Sequence, residues 1–299
     1  MNAITKTPAN GLSNSTDHRS RVRISKSAFL ALTTALIAAI LSGVVVAGPA
    51  NAGTHRALAA SQVVYPIGIV DPAEPSGMAP PSGSALPGYR LSYSNDFNGT
   101  QAPPGWELFS GIPGGDPGGQ FAISHVVFSG GLLRVSTWQD PLYQNRWVTG
   151  GLCQCKVARV YGAYFVRTRI TGPGPNVAEL LWPVTNRWPP EIDFNENGGS
   201  TNYTTSTVHW ARSNSMDHRS LNIDMTQWHT WGVIWSPSSV IYTLDGRQWA
   251  AVTVPSEIPT VRMDLNFELR TMCALGRQCS TSPQSLLVDW ATEYVAVNP

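Results

Sequence analysis

The sequence predicts an all-β fold, an antiparallel β-sandwich of the jelly-roll type. Three observations carry this. No stretch of ten residues shows convincing helical amphipathicity. Short alternating runs bounded by Gly, Pro or Asn recur instead, with Asp245-Gly246 as a strong hairpin turn. All eleven tryptophans fall between Trp106 and Trp290, which places one core in residues 87–299.

In chain order, residues 1–52 read as an export signal. Lys6, Arg19, Arg21, Arg23 and Lys26 precede the apolar run Ala28 to Ala47, which leads into Ala50-Asn51-Ala52. A basic region, an apolar region and an A-x-A site describe a secretory signal peptide. A signal anchor is the alternative, because about 20 apolar residues can span a bilayer. The expected product is secreted, with no stable membrane insertion after cleavage. Residues 53–86, rich in Ala, Pro, Ser and Gly, read as a linker or tail.

From residue 87 onward the strands are expected at Arg90–Phe97, Phe121–Phe128, Leu132–Trp138, Val157–Thr171 and Val177–Trp182. They continue at Trp231–Trp235, Ile241–Leu244, Trp249–Val254, Arg262–Arg270 and Leu286–Val297. Many short strands separated by turn chemistry indicate a sandwich or jelly roll.

The formal charge is +1 for the whole chain. Without residues 1–52, 15 basic side chains face 18 acidic ones, a balance of −3. No basic patch remains for nucleic acid. Cys153, Cys155, Cys273 and Cys279 all lie in the exported part and read as two structural disulfides, with three connectivities open. A direct Cys153–Cys155 bond is expected to be strained, whereas Cys273 and Cys279 close a small loop easily. Zinc lacks the C-x-x-C spacing it would need.

The chemistry concentrates in Glu191-Ile192-Asp193-Phe194-Asn195-Glu196, after Trp188-Pro189-Pro190. In a strand Glu191 and Asp193 share one face, with Ile192 and Phe194 behind it. Glu196 has the wrong parity, so one extra residue, a bulge around Phe194 to Glu196, is needed to bring all three acids together. Three like charges on one face raise at least one pKa. Two neighbouring carboxyls, one protonated and one ionised, are what glycoside hydrolysis requires. No G-x-S-x-G or H-E-x-x-H offers a serine or zinc alternative.

This stretch resembles the bulged E-[IL]-D-x-x-E signature of glycoside hydrolase family 16, in its laminarinase-like form. Three further blocks resemble the family in the same order: Tyr161-Gly162 with Arg167 and Arg169, Trp228 to Pro237 with Ile241 to Gly246, and Leu287 to Tyr294. The resemblance implies a concanavalin-like sandwich with a concave cleft, Glu191 as nucleophile, Asp193 as helper and Glu196 as general acid/base. It also implies a polysaccharide substrate, with β-1,3- or mixed β-1,3/1,4-glucans ahead of agar- or carrageenan-type galactans. A transglycosylase and a non-catalytic carbohydrate-binding sandwich are the alternatives. The chain departs from the family at Phe165, where many members carry Glu, at Pro190, and across Arg262 to Cys279, which lacks the common glycine-rich segment.

Around the acids, Trp182 and Trp188 are candidate sugar platforms, and His209 a partner for a substrate hydroxyl or the acid. Asn266 and Glu268 share one strand face with Arg270, and Arg167 is a cleft residue or a surface charge. No cofactor is required and no metal ligand is assigned. A structural calcium at Asp289, as in some family members, is open, with an unpaired surface Asp the simpler reading. A monomer is expected.

Overall fold

In the computed structural model the described residues are 64–271, 273 and 280–297. The apolar segment Ala28 to Ala47, its A-x-A site and Cys279 lie outside them. Among the described residues no helix is long and apolar enough to cross a membrane.

Two antiparallel sheets form the body. The first runs, in spatial order, β13 (Ser215–Asn222), β12 (Tyr203–Ala211), β11 (Glu191–Glu196), β10 (Asn176–Pro183), β17 (Met263–Arg270), β8 (Gly151–Cys153) and β4 (Glu107–Leu108). The second runs β16 (Arg247–Val252), β15 (Val240–Leu244), β14 (His229–Trp235), β9 (Gly162–Ile170), β18 (Gln284–Ala296), β6 (Leu132–Asp140) and β5 (Val126–Ser129). Beside that path, β3 (Tyr89–Asn95) pairs with β18 and β7 (Arg146–Val148) with β6. A two-stranded ribbon, β1 (Ile69–Val70) with β2 (Met78–Ala79), precedes them.

Strand periodicity builds the core between the sheets. Val177 and Leu181 of β10, Ile192 and Phe194 of β11, and Met263, Leu265, Phe267 and Leu269 of β17 meet Tyr164, Val166, Trp231 and Val233 from the second sheet. Each strand of the first sheet therefore sends its other parity outward. That outward face carries the acids.

The central strands of the second sheet, β9 and β18, are buried on both faces. Ala163-Tyr164-Phe165-Val166 and Leu286-Leu287-Val288 are apolar without alternation, the pattern of a doubly covered strand. The outer cover comes from the segment that reads as a linker. Tyr65 and Leu86 pack with Phe165, Ile234, Trp290 and Tyr294 in a second cluster. Tyr65 N–H donates to Gly246 O (3.0 Å), Trp290 Nε1 to Met78 O (3.0 Å) and Tyr294 Oη to Ser82 O (2.9 Å). Residues 64–86 thus belong to the folded unit: a Pro-rich segment lacks periodicity yet satisfies its carbonyls with Trp and Tyr donors of the sheet beneath.

Element boundaries shift where local bonds win over alternation. Residues 123–125 form a single 3₁₀ turn before β5, because His125 is turned inward to Asp140 (3.2 Å) and stacks on Trp138. The strand expected from Val157 starts at Gly162, after a left-handed Tyr161 (φ 64°). Strand β13 has no apolar alternation to betray it, being an edge strand with polar residues on both faces.

The second cluster is a stability element. Trp290→Ala removes its largest buried ring and the donor to Met78, and a loss of about 3–5 kcal/mol is expected in denaturant titration.

Candidate active site

Strand β11 supplies the acids and its bulge aligns them. Against β12 the register runs Glu191 to His209, Ile192 to Val208 and Asp193 to Thr207, then jumps to Glu196 opposite Thr205. Against β10, Leu180 pairs with Asp193 and Glu179 with Asn195, so Phe194 is the extra residue on this side as well. The slip lies where parity requires it. Glu191 and Asp193 are buried and Glu196 is half-buried on the outward face, while Phe194 and Asn195 are buried beneath.

Each acid has its own partner. Trp188 Nε1 donates to Glu191 Oε2 (2.6 Å). Asn176 Nδ2, from β10, donates to Glu196 Oε1 (2.8 Å). His209 Nε2 lies 3.3 Å from Asp193 Oδ2, and its Nδ1 lies 2.6 Å from Asn214 Oδ1, which fixes the ring from behind. The Trp188 and His209 rings lie 5.5 Å apart, and Trp188 is 43% exposed, so one side of its indole is free.

On β17, Asp264, Asn266, Glu268 and Arg270 alternate with the core residues and form the floor. Asn266 Nδ2 donates to Asp264 Oδ1 (2.7 Å), and Arg270 Nε and Nη2 bond Glu268 Oε2 at 2.8 and 2.7 Å. Ala178 separates Glu268 from Glu196 in the register, and its small side chain leaves room between the two. The Gly-rich loop 111–119 covers the guanidinium: a Cβ added at Gly115 would sit 3.7 Å from Arg270 Nη1.

The electrostatics follow from this packing. Burial, then the neighbouring Asp193, pushes Glu191 well above the ordinary carboxyl range, opposed by Arg270 and the Trp188 donor. Glu196 is raised by burial and Asp193, opposed by Asn176, Arg270 and His209. Burial works against a charge on His209, but Asp193 and Asn214 carry its pKa above the usual value. Burial and the neighbouring charge therefore bias both glutamates towards their protonated forms.

The structure brings Glu191, Asp193, Glu196, Trp182, Trp188, His209, Asn266 and Glu268 to one face. Trp182 follows from the parity of β10, and its Nε1 donates to Asn186 Oδ1 (2.9 Å). Arg167 does not join them. It stands on the second sheet, where it bonds Ser76 Oγ (2.7 Å), Ser76 O and Thr230 Oγ1, clamping residues 64–86. Its parity is opposite to that of Val166 in the core, which points it outward from the wrong sheet. Phe165 likewise faces that side and packs edge-on to Tyr294, so its departure from the family pattern has no bearing on the cleft. Asp289 is fully buried rather than a surface residue, beside Ser76 and Arg167. Asn176 was missed, although its spacing from Ala178 places it on the cleft face; only register reveals Glu196 beside it.

Ligand atoms of Glu191, Asp193 and His209 lie within 4.8 Å of one another, as do those of Cys153, Cys155 and Asp264. The first trio is accounted for by its hydrogen bonds. In the second, Cys153 and Cys155 are joined as a disulfide, Cα to Cα 5.0 Å, so the close pair does bond directly. Cys273 is also disulfide-bonded.

This geometry, three acids across a bulge on the open face of a two-sheet sandwich, defines a glycosidase-type fold and site. The sequence profile of glycosyl hydrolases family 16 matches residues 124–292, and the chain belongs to that family. It is 29% identical over 143 residues to the endo-1,3-1,4-beta-glycanase ExsH of Rhizobium meliloti (strain 1021), covering 46% of this chain and 31% of that protein. The chain thus spans about a third of the length of that curated relative. Its fold is similar to the catalytic domain of an endo-1,3-beta-glucanase (laminarinase) from Thermotoga petrophila RKU-1, with TM-score 0.60, 16% identity, and coverage of 70% of this chain and 99% of that one. The endo-beta-1,3-glucanase from Pyrococcus furiosus is similar at TM-score 0.60 and 20% identity, covering 71% and 96%.

Two substitutions test these placements. Trp188→Phe removes the donor that favours the Glu191 anion, so the acidic limb of kcat/KM is expected to move up by about one pH unit. Arg167→Met is expected to cost about 1–3 kcal/mol of stability while leaving KM unchanged; a raised KM would return it to the cleft.

Proposed function

We propose that this protein is an endo-acting, retaining glycoside hydrolase of β-1,3- or mixed β-1,3/1,4-glucans. The observation that carries this is the bulge that sets Glu191, Asp193 and Glu196 on one open face, each with a separate polar partner. The linkage is supported by the printed activities of the relatives.

Glu191, with the Trp188 N–H and the field of Arg270, is the carboxylate that attacks the anomeric carbon. Glu196 carries the proton, gives it to the glycosidic oxygen, and the aglycone leaves. Water then enters, Glu196 takes its proton back, and hydroxide equivalent adds to the anomeric carbon with Glu191 released, giving net retention. Asp193, tied to His209, lies between them, and its carboxylate raises both neighbours. Trp188 and Trp182 offer apolar faces to sugar rings.

The floor favours a neutral polymer over a sulfated galactan. Arg270 is spent on Glu268 and covered by the loop at Gly115, and the remaining charge at the centre is acidic. A transglycosylase would use the same residues and differ only in preferring a sugar acceptor.

We place the protein outside the cell, as a monomer. The disulfide at Cys153–Cys155 and the apolar segment after a basic region support export. The reaction needs no cofactor. A structural calcium on the second sheet would draw on Asp289, a buried oxygen donor. Arg167 already supplies one positive charge there.

Glu191→Gln is expected to abolish reducing-end release from laminarin and lichenan while sugar binding persists. Wild-type silence on both, with the protein folded and still retained on the polymers, would show a binding module instead.

A further inference from the structure

Strand β10 holds a carboxylic acid that the reaction above does not use. Glu179 interrupts the run Val177-Ala178-Glu179-Leu180-Leu181, on the side that faces the second sheet, and is fully buried. Its Cα partners are Phe267 on β17 and Asn195 on β11, and the β10–β11 register slips immediately after it. The polar groups nearest in effect to its carboxyl are Thr168, on β9, and Asn195. Glu179 Oε1 and Oε2, Thr168 Oγ1 and Asn195 Nδ2 are all buried, and none of them makes a hydrogen bond within normal geometry. Asn195 Oδ1 is already taken by Thr204 Oγ1 (2.6 Å), so only its Nδ2 is left for Glu179.

The neutral acid suits this set of partners. With a proton on the acid, its carbonyl oxygen can accept from Asn195 Nδ2 and its O–H can donate to Thr168 Oγ1, so that small rotations let the buried atoms satisfy one another. Thr168 and Asn195 can donate to the anion as well, but no charged side chain of β9, β11 or β17 acts on it, and burial outweighs the two donors.

We infer that Glu179, as a neutral acid, is a positioning residue: it anchors Asn195 from beneath and so holds the bulge that presents Glu196 to the cleft. The inference rests on the catalytic reading of Glu196 given above. Burial pushes the Glu179 carboxyl up to about 8, so it stays neutral across the acidic and neutral range. Above that a charge forms behind the bulge. The sign for stability is the reverse of a salt-bridged carboxylate. The folded state holds the proton more tightly than the unfolded chain, so stability is lost as pH rises from the ordinary value of 4.5 towards 8, then levels off.

The test compares the wild type with Glu179→Gln and Glu179→Leu, measuring kcat and KM on laminarin against pH, the melting temperature, and hydrogen exchange of the peptide 191–197 at about pH 6 and about pH 9, corrected for intrinsic rates. Glu179→Gln, neutral at every pH, is expected to keep kcat and to lose the wild type's alkaline decline near 8. The wild type is expected to fall in melting temperature relative to it between about 4.5 and 8. Glu179→Leu is expected to lose about a hundredfold in kcat with KM little changed. An alkaline decline unmoved in Glu179→Gln, with exchange of 191–197 equally slow in both at high pH, would overturn the inference, whether or not Glu179→Leu folds. Wild-type inactivity on every glucan would overturn the catalytic reading alone. The exchange difference between wild type and Glu179→Gln would then still decide whether Glu179 holds the bulge.

Discussion

The site depends on one constraint, that side chains along a strand alternate with a period of two. Glu196 lies five residues from Glu191 and would enter the core of a regular strand, where an unpaired carboxylate is costly. The register jump between Asp193 and Glu196 turns it out. Both sheet neighbours must accommodate the same jump, and they do so differently. On the β12 side Thr204 and Thr205 bond the bulged backbone and Asn195. On the β10 side Asn176 and Asn197 meet it: Asn176 reaches Glu196, and Asn197 Oδ1 accepts from Val177 N–H (2.8 Å). The bulge is thus held by polar groups from both neighbouring strands, inside an otherwise apolar sheet.

Charge is the second layer. Three ionised carboxylates on one face would repel and leave no acid, and three protonated ones would leave no nucleophile. The surroundings divide them. Glu191 has an indole N–H and lies in the field of Arg270, Asp193 has His209, and Glu196 has a neutral amide as its hydrogen-bond donor, with Arg270 and His209 acting from farther off. None of these partners sits on β11 itself. They come from the loop before it, from β12, from β10 and from β17, so the proton distribution is a property of four neighbouring segments. Arg270 is fixed by a carboxylate on its own strand, so its charge is held at a constant place and does not swing to a substrate.

How much of this could be read from the chain alone follows from the same physics. The acids, the bulge and the sharing of one face by Asn266, Glu268 and Arg270 are consequences of parity within one strand, and parity is visible in sequence. Trp188 lies three residues from Glu191, close enough for local reasoning. Asn176 and Glu179 are different. Their roles exist only because β10 lies beside β11 in one particular register, and a strand does not announce its neighbours. Arg167 shows the opposite failure. Its position in a family-like motif suggested the cleft, but parity fixes only which face of a strand a residue takes, not which sheet the strand joins.

The covered second sheet explains why the segment before residue 87 resists interpretation. Its strands are apolar on both faces, as in Ala163 to Val166 and Leu286 to Val288, and such a sheet must be covered on the side away from the cleft. The cover need not be a strand or helix. Two side chains, Tyr65 and Leu86, packed on Phe165, Ile234, Trp290 and Tyr294 of the sheet, suffice when the crossing backbone finds donors beneath it. A Pro-rich composition is compatible with that role, since an irregular strap with few N–H groups has few donors to satisfy. The signal for a packed strap is therefore found in the sheet it covers rather than in the strap. An unbroken apolar run in a sandwich strand demands an outer partner, and here the chain just before the first long strand provides it.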